Sequence, residues 1–154
     1  MMKLSSEVIS RLAGKTLATA ESLTGGGIGA ELTSVPGASL VYKGGIISYV
    51  NDVKAEVLGV PREILDRYGA VSAWTVGYMA TGVRKLLKAD IAVSVTGLAG
   101  PGGDEFGHCV GTVYIGYESD SNSLVKEFRF QGNREAVRQQ TTEAALNLIL
   151  EQNP

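Results

Sequence analysis

One cysteine and one histidine are all that this chain of 154 residues offers as thiol or imidazole groups. Cys109 has no second cysteine for an internal disulfide, and Cys109 with His108 is too little for a Cys/His zinc site. Charged residues are also scarce, at 19% against an average near ~25%, and the net charge is only −2. That excludes a strongly basic nucleic-acid module. With 44% apolar residues, it also excludes a chain too polar to fold. Long apolar runs are missing too: no window approaches the ~18 uncharged residues of a membrane span. The N-terminal stretch carries Ser5, Glu7 and Arg11, unlike the apolar core of a signal peptide. By default, then, the expected location is cytoplasmic.

Glycine is what the chain has in excess: twenty residues, almost twice the usual ~7%. Between the glycines the periodicity is clear. Val8, Ile9 and Leu12 predict a helix over 5–13, closed by Gly14. A strand over 16–20 runs into Glu21-Ser22-Leu23-Thr24-Gly25-Gly26-Gly27. There a helix carrying Ile28, Ala30, Glu31 and Leu32 opens, and Val35-Pro36-Gly37 breaks it. Residues 44–50 read as a strand, Asn51 or Asp52 as the cap of a short helix to Leu58, and Pro61 as the first turn of a helix over 62–68. Ser72 caps a longer helix striped by Val76, Met79, Ala80, Val83 and Leu87. Residues 91–95 form a buried-type strand, and 110–117 pairs with 124–130 across a polar turn. An amphipathic helix then runs from Gly132 to the end, with Val137, Thr141, Ala144, Ala145 and Leu148 on one face. Strands alternating with helices predict a single α/β domain over 1–154, in three layers, with helices on both faces of a mixed central sheet.

Two glycine-rich segments, 24–27 and 96–103, each follow a predicted strand, where ligands bind in open α/β sheets. Neither matches a Walker loop or a dinucleotide fingerprint. Their backbone N–H groups can still approach an anion; equally, both can be tight turns that need positive φ. Ser22, on a strand-to-helix turn, stands where hydrolases hold a nucleophile. Glu-Ser-Leu-Thr-Gly is not the Gly-x-Ser-x-Gly elbow, however, and an N-cap serine would occupy the same place. The base for such a serine is either His108, the only imidazole, or a lysine made neutral by burial.

The segment TAESLTGG at 19–26 resembles the signature of the CinA C-terminal domain family. So do YKGGIISYVNDVK at 42–54 with LGV at 58–60, YGAVS at 68–72, VTGLAGP at 95–101 and VGTV at 110–113, in order along nearly the whole chain. The resemblance implies an amidohydrolase that needs no metal and no cofactor. Its substrate would be nicotinamide mononucleotide (NMN), whose carboxamide it would hydrolyse to nicotinate mononucleotide and ammonia in pyridine-nucleotide recycling. The resemblance puts the nucleophile on Ser22 and its partners on Tyr49 and Lys54. Neutral Lys54 would take the serine proton, as a poorly electrophilic amide demands, and Tyr49 would orient Lys54 or give a proton to the leaving ammonia. For the substrate we expect oxyanion donors from the backbone of Leu23, Thr24, Gly25 and Gly26. Thr96, Gly97 and Gly100 would form the other wall, and Arg134 or Arg138 would meet the 5′-phosphate.

Two other readings use the same residues differently. One is an amidase for another small carboxamide. The other is a catalytically silent nucleotide- or partner-binding module linked to competence and DNA damage, which would need the glycine loops but not Ser22, Tyr49 and Lys54. Net charge and the lack of a basic aromatic stripe speak against direct nucleic-acid binding. Apolar helix faces fit a homodimer or higher homo-oligomer. The chain departs from the family pattern at Ser72-Ala73, where Ser-Glu is common, at His108-Cys109, where Lys-Pro is common, and in an abbreviated loop over 102–107. These departures bear on the pocket wall and on specificity. Without the large N-terminal domain of longer members, the chain reads as a stand-alone amidase-like unit.

Overall fold

The computed structural model describes residues 2–154. In chain order the strands are β1 (Leu17–Glu21), β2 (Tyr42–Ile47), β3 (Ile91–Gly97), β4 (Thr112–Glu118) and β5 (Ser123–Arg129). The helices are α1 (Leu4–Arg11), α2 (Gly27–Thr33), α3 (Asn51–Glu56), α4 (Arg62–Tyr68), α5 (Ala73–Leu87) and α6 (Arg134–Gln152). One mixed sheet runs β2-β1-β3-β4-β5. β1 is parallel to both of its neighbours, whereas the β3–β4 and β4–β5 pairs are antiparallel.

Every residue of β1 is buried, because helices cover both faces of the sheet there. Leu17 joins Val8, Leu12, Ile28, Leu32 and Ile149 in a core under α1, α2 and α6. Ala18 and Ala20 face the other way, onto Leu58, Val60, Leu65, Met79 and Val83. The predicted three-layer α/β architecture is therefore the observed one. On α5 the stripe Val76, Met79, Ala80 and Val83 is buried. Each of the larger side chains contributes about 1.5–3 kcal/mol by leaving water. Ser72 caps this helix, its Oγ accepting the Thr75 N–H at 3.0 Å.

The connections position the site. From β1 the chain passes through α2 to β2 on one side; from β2 it returns through α3, α4 and α5 to β3 on the other side of β1. These connections run in opposite directions along the sheet and set α2 on the Leu17 face and α5 on the Ala18 and Ala20 face. They leave a crevice beyond the carboxyl ends of β1 and β3.

Three local differences from the sequence reading have physical causes. The strand expected over 44–50 starts at Tyr42 and stops at Ile47. The Ser48 N–H still donates to the Glu21 carbonyl at 2.8 Å, but the carbonyls of Ser48 and Tyr49 turn to the Lys54 ammonium and cannot extend a ladder. Tyr49 thus sits in the turn between β2 and α3. Neither Asn51 nor Asp52 caps α3: Val50 occupies that position without a side-chain bond, and Asp52 pairs instead with Arg62 on the surface at 2.8 Å. A short 3-10 turn over Ala38–Leu40 follows Gly37 in a stretch for which the sequence predicted only a break. Among the described residues no helix is long and apolar enough to cross a membrane.

Candidate active site

A cavity of about 350 Å³ opens in this crevice, within the size range of small-molecule sites. Ser22, Leu23, Tyr49 and Lys54 form one side. Thr96, Gly97 and Gly100, at and beyond the end of β3, also line the cavity, and Arg134 stands at the start of α6. Ala70, Val71, Leu98 and Ala99 give the interior an apolar surface.

Ser22 is the first residue past β1. Its N–H donates to the Val95 carbonyl at 3.2 Å, which anchors it to β3 after the strand ends. The chain then reverses into α2 through Gly25 and Gly26, whose φ values of 61° and 104° favour glycine. The Gly25 N–H donates to the Ser22 carbonyl at 3.1 Å. The turn therefore presents a buried serine hydroxyl at the carboxyl end of the central parallel strand.

Lys54 reaches that hydroxyl from α3. It is 1% exposed, unusual for a side chain that seldom leaves water. Its Nζ lies 3.0 Å from Ser22 Oγ, 2.6 Å from the Ser48 carbonyl oxygen and 3.2 Å from that of Tyr49. Among the described residues no carboxylate pairs with it. Burial with no compensating anion lowers its pKa to about 8. A neutral amine has two N–H donors and one lone pair. Two carbonyls and one hydroxyl match that set, with the serine O–H donating to the lysine. Protonated, the same nitrogen donates to all three. Both charge states are satisfied, and changing between them only reverses the serine–lysine bond.

Tyr49 contributes to the site twice. Its carbonyl accepts from Lys54, while its exposed ring hydroxyl accepts from Arg134 Nη2 at 2.8 Å. Arg134 also donates through Nη1 to the Gly100 carbonyl at 2.6 Å, so its guanidinium spans the cavity from one wall to the other. Thr96 is held by its hydroxyl, which donates to the Ala70 carbonyl at 2.7 Å and joins the sheet to the apolar wall.

Several expected participants stand elsewhere. Thr24, Gly25 and Gly26 do not line the cavity. Thr24 is buried with its hydroxyl on Glu21, and the N–H of Gly25 is taken by Ser22. Among the described residues the N–H groups of Leu23, Thr24 and Gly26 meet no acceptor, and of these three residues only Leu23 lines the cavity. Arg138 lies behind the turn, donating to the carbonyls of Leu23 and Thr24 at 2.9 and 3.2 Å; it braces the loop and leaves Arg134 as the arginine in the cavity. His108 Nδ1 is 2.6 Å from the Asp104 carboxylate, and it does not line the cavity. The titratable side chain that meets the Ser22 hydroxyl is thus Lys54. Of the departures from the family pattern, Ala73 lines a separate groove between α5 and β5, and only Gly102, at the edge of the shortened loop, touches the cavity.

Sequence reasoning passed over Glu21. It is 2% exposed, and its carboxylate accepts from Thr24 Oγ1 at 2.6 Å and from the N–H groups of Ile28 and Gly29 at 2.9 Å. The available signal was an acidic residue closing an otherwise apolar strand, since a buried charge requires partners.

The model of the CinA C-terminal domain family matches residues 1–153. A CinA-like protein of Thermosynechococcus vestitus is 48% identical over 141 residues, 90% of this chain and 34% of its own length. A putative competence-damage inducible protein of Bacillus subtilis is 45% identical over 137 residues, 89% of this chain and 33% of its own length. The chain therefore spans about a third of the curated relatives it matches. A CinA superfamily protein of Klebsiella pneumoniae superimposes with a TM-score of 0.94 at 35% identity, covering 97% of this chain and 94% of that one. A competence/damage inducible protein of Agrobacterium tumefaciens gives 0.94 at 37% identity, covering 98% and 94%. The chain belongs to the CinA C-terminal domain family.

Proposed function

We propose that this domain is a serine amidohydrolase that removes ammonia from the carboxamide of nicotinamide mononucleotide. The observation that carries the reading is the buried Lys54 amine, unpaired with any carboxylate among the described residues, 3.0 Å from the Ser22 hydroxyl. A lysine so placed has little structural reason to be there. Burial without a counter-ion destabilises the fold, and in exchange the site gains a base whose lone pair is available near neutral pH.

In the first half-reaction Ser22 Oγ attacks the carboxamide carbon while its proton passes to Lys54 Nζ. The carbonyl oxygen becomes an oxyanion, for which Leu23, a cavity-lining residue with an uncommitted N–H, supplies a donor. Lys54, now an ammonium, returns the proton to the departing nitrogen. Ammonia leaves, and an ester remains on Ser22. Water then attacks the ester with Lys54 again as base; the carboxylic acid is released and Ser22 recovers its proton.

The cavity walls suit the rest of the substrate. The pyridine ring fits the apolar surface of Ala70, Val71, Leu98 and Ala99, and Arg134 provides the one guanidinium among the lining residues for the 5′-phosphate. In this role Arg134 exchanges its bond to the Tyr49 hydroxyl for the phosphate, freeing that hydroxyl at the mouth of the site.

The reading is tested by incubating purified protein with the nucleotide and following ammonia and nicotinate mononucleotide. Product formed by the native protein and absent from Ser22→Ala supports it. Folded native protein that forms no product overturns it, and leaves another carboxamide or a binding role.

A further inference from the structure

Glu21 has more hydrogen bonds than a surface carboxylate and none of the cations that usually accompany a buried one. Oε1 accepts from Thr24 Oγ1 and from the Ile28 N–H; Oε2 accepts from the Gly29 N–H and, at 3.3 Å, from Thr19 Oγ1. Among the described residues it enters no ion pair. The reason lies in α2. The N-cap of that helix is Gly26, which has no side chain to offer, so the first-turn N–H groups would be orphaned in the interior. Glu21 meets two of them from the strand across the turn.

The network is built tightly. The Tyr42 hydroxyl is 2.6 Å from Thr19 Oγ1. A Cβ at Gly29 would stand 2.8 Å from that tyrosine oxygen, and one at Gly45 would collide with Thr19 Oγ1. On the other side of the turn Arg138 holds the carbonyls of Leu23 and Thr24. Residues 22–26 are thus pinned at both ends, with the nucleophile as the first residue inside the clamp.

We infer that Glu21 is a positioning residue for the nucleophile: by tying Thr24 and the first turn of α2 to the end of β1, its carboxylate holds Ser22 Oγ against Lys54. It touches neither substrate nor the reacting atoms. This deepens the amidohydrolase reading and rests on it. A carboxylate is required because both oxygens must accept. In Glu21→Gln one of the two positions becomes an NH₂ donor. Oriented to keep Thr24 and Ile28, the amide would set that donor against the Gly29 N–H, and the turn must shift.

The test uses the full chain and two readouts, NMN turnover and the rate at which a fluorophosphonate reagent labels Ser22. In Glu21→Gln we expect both kcat and labelling to fall about 10- to 100-fold, as small misplacements of reacting groups do, with KM within about twofold of native. The pH midpoint of labelling stays near the Lys54 value of about 8, which separates positioning from a field effect on the lysine. Tyr42→Phe, which removes the far end of the network and leaves the turn alone, keeps both rates. If Glu21→Gln fails to fold, Thr24→Val is the working variant: it removes one donor, keeps the carboxylate, and lowers both rates several-fold. Native rates in the folded Glu21 or Thr24 variant overturn the inference, as does an equal loss in Tyr42→Phe. Native protein that labels at Ser22 but leaves NMN intact defeats the substrate assignment only, and the labelling ratios still decide the role of Glu21. Native protein that neither labels nor turns over defeats both.

Discussion

Lys54 Nζ and Ser22 Oγ are 3.0 Å apart in the interior, joined across thirty-two positions of sequence, and among the described residues the lysine has no anionic partner. Burial lowers the lysine pKa to about 8 and brings its amine against the serine hydroxyl. The consequences are measurable.

Activity should follow the neutral fraction of Lys54. With a pKa of about 8, about one molecule in ten holds the free amine at pH 7. We expect kcat/KM to rise with pH and level off above an apparent pKa near 8. In Lys54→Met kcat falls about 10²- to 10⁴-fold, the range for loss of a general base, and the pH step disappears. A pH–rate profile of both proteins checks this.

The same shift makes stability depend on pH. Burial holds the folded-state pKa at about 8 against 10.5 in the unfolded chain, so between these values the unfolded state binds more protons. Stability from this group therefore rises with pH across that window; below about pH 8 the fold carries the full cost of the buried cation. The gain reaches about 3 kcal/mol. Tyr42, whose pKa is raised chiefly by burial, acts in the opposite sense above about pH 10. Urea unfolding of native protein and Lys54→Met isolates the lysine: the native-minus-variant difference climbs between about pH 8 and 10.

Arg134 should report on the phosphate. We expect Arg134→Ala to raise KM for NMN about 10- to 100-fold, as loss of a charge-assisted contact does, and to leave KM for the dephosphorylated nucleoside nearly unchanged. Steady-state kinetics on the two substrates decide it. An equal effect on both would move the phosphate away from Arg134.

Two glycines of α5 should respond oppositely to alanine. At Gly77 the added methyl meets nothing within 4 Å, so Gly77→Ala stabilises by about 0.5–1 kcal/mol through helix propensity. At Gly82 it would collide with the Leu58 carbonyl, so Gly82→Ala loses about 1–3 kcal/mol despite the same propensity gain. Thermal melts of the pair check the packing of α5 on the segment after α3.

Much of this arrangement was legible in the residues, where local chemistry decides local structure. The stripe from Val76 to Val83, the Ser72 cap and the hairpin of β4 and β5 all appear as periodicity or as turn residues. The motif resemblance brought Ser22 together with Tyr49 and Lys54 although the serine lies on a separate segment. What stayed hidden depends on contacts distant in sequence. Ile47 ends β2 because Lys54 claims the next two carbonyls, which no strand pattern encodes. Arg138 was expected, as an alternative to Arg134, to meet the phosphate because both open the last helix, yet its bonds go to the carbonyls of Leu23 and Thr24. Glu21 read as one acidic residue in a motif, and only its four donors explain why it is buried.

The central claim is that Ser22 attacks with Lys54 as its base, and intact-mass analysis of rapidly quenched reactions tests it most directly. Native protein mixed with NMN above pH 8, where Lys54 is neutral, and quenched within the first turnover should gain the mass of the nicotinoyl nucleotide. Digestion should place that mass on the peptide containing Ser22, and Ser22→Ala and Lys54→Met should not accumulate it. Full turnover by Ser22→Ala, or an adduct on any other residue, would contradict the account.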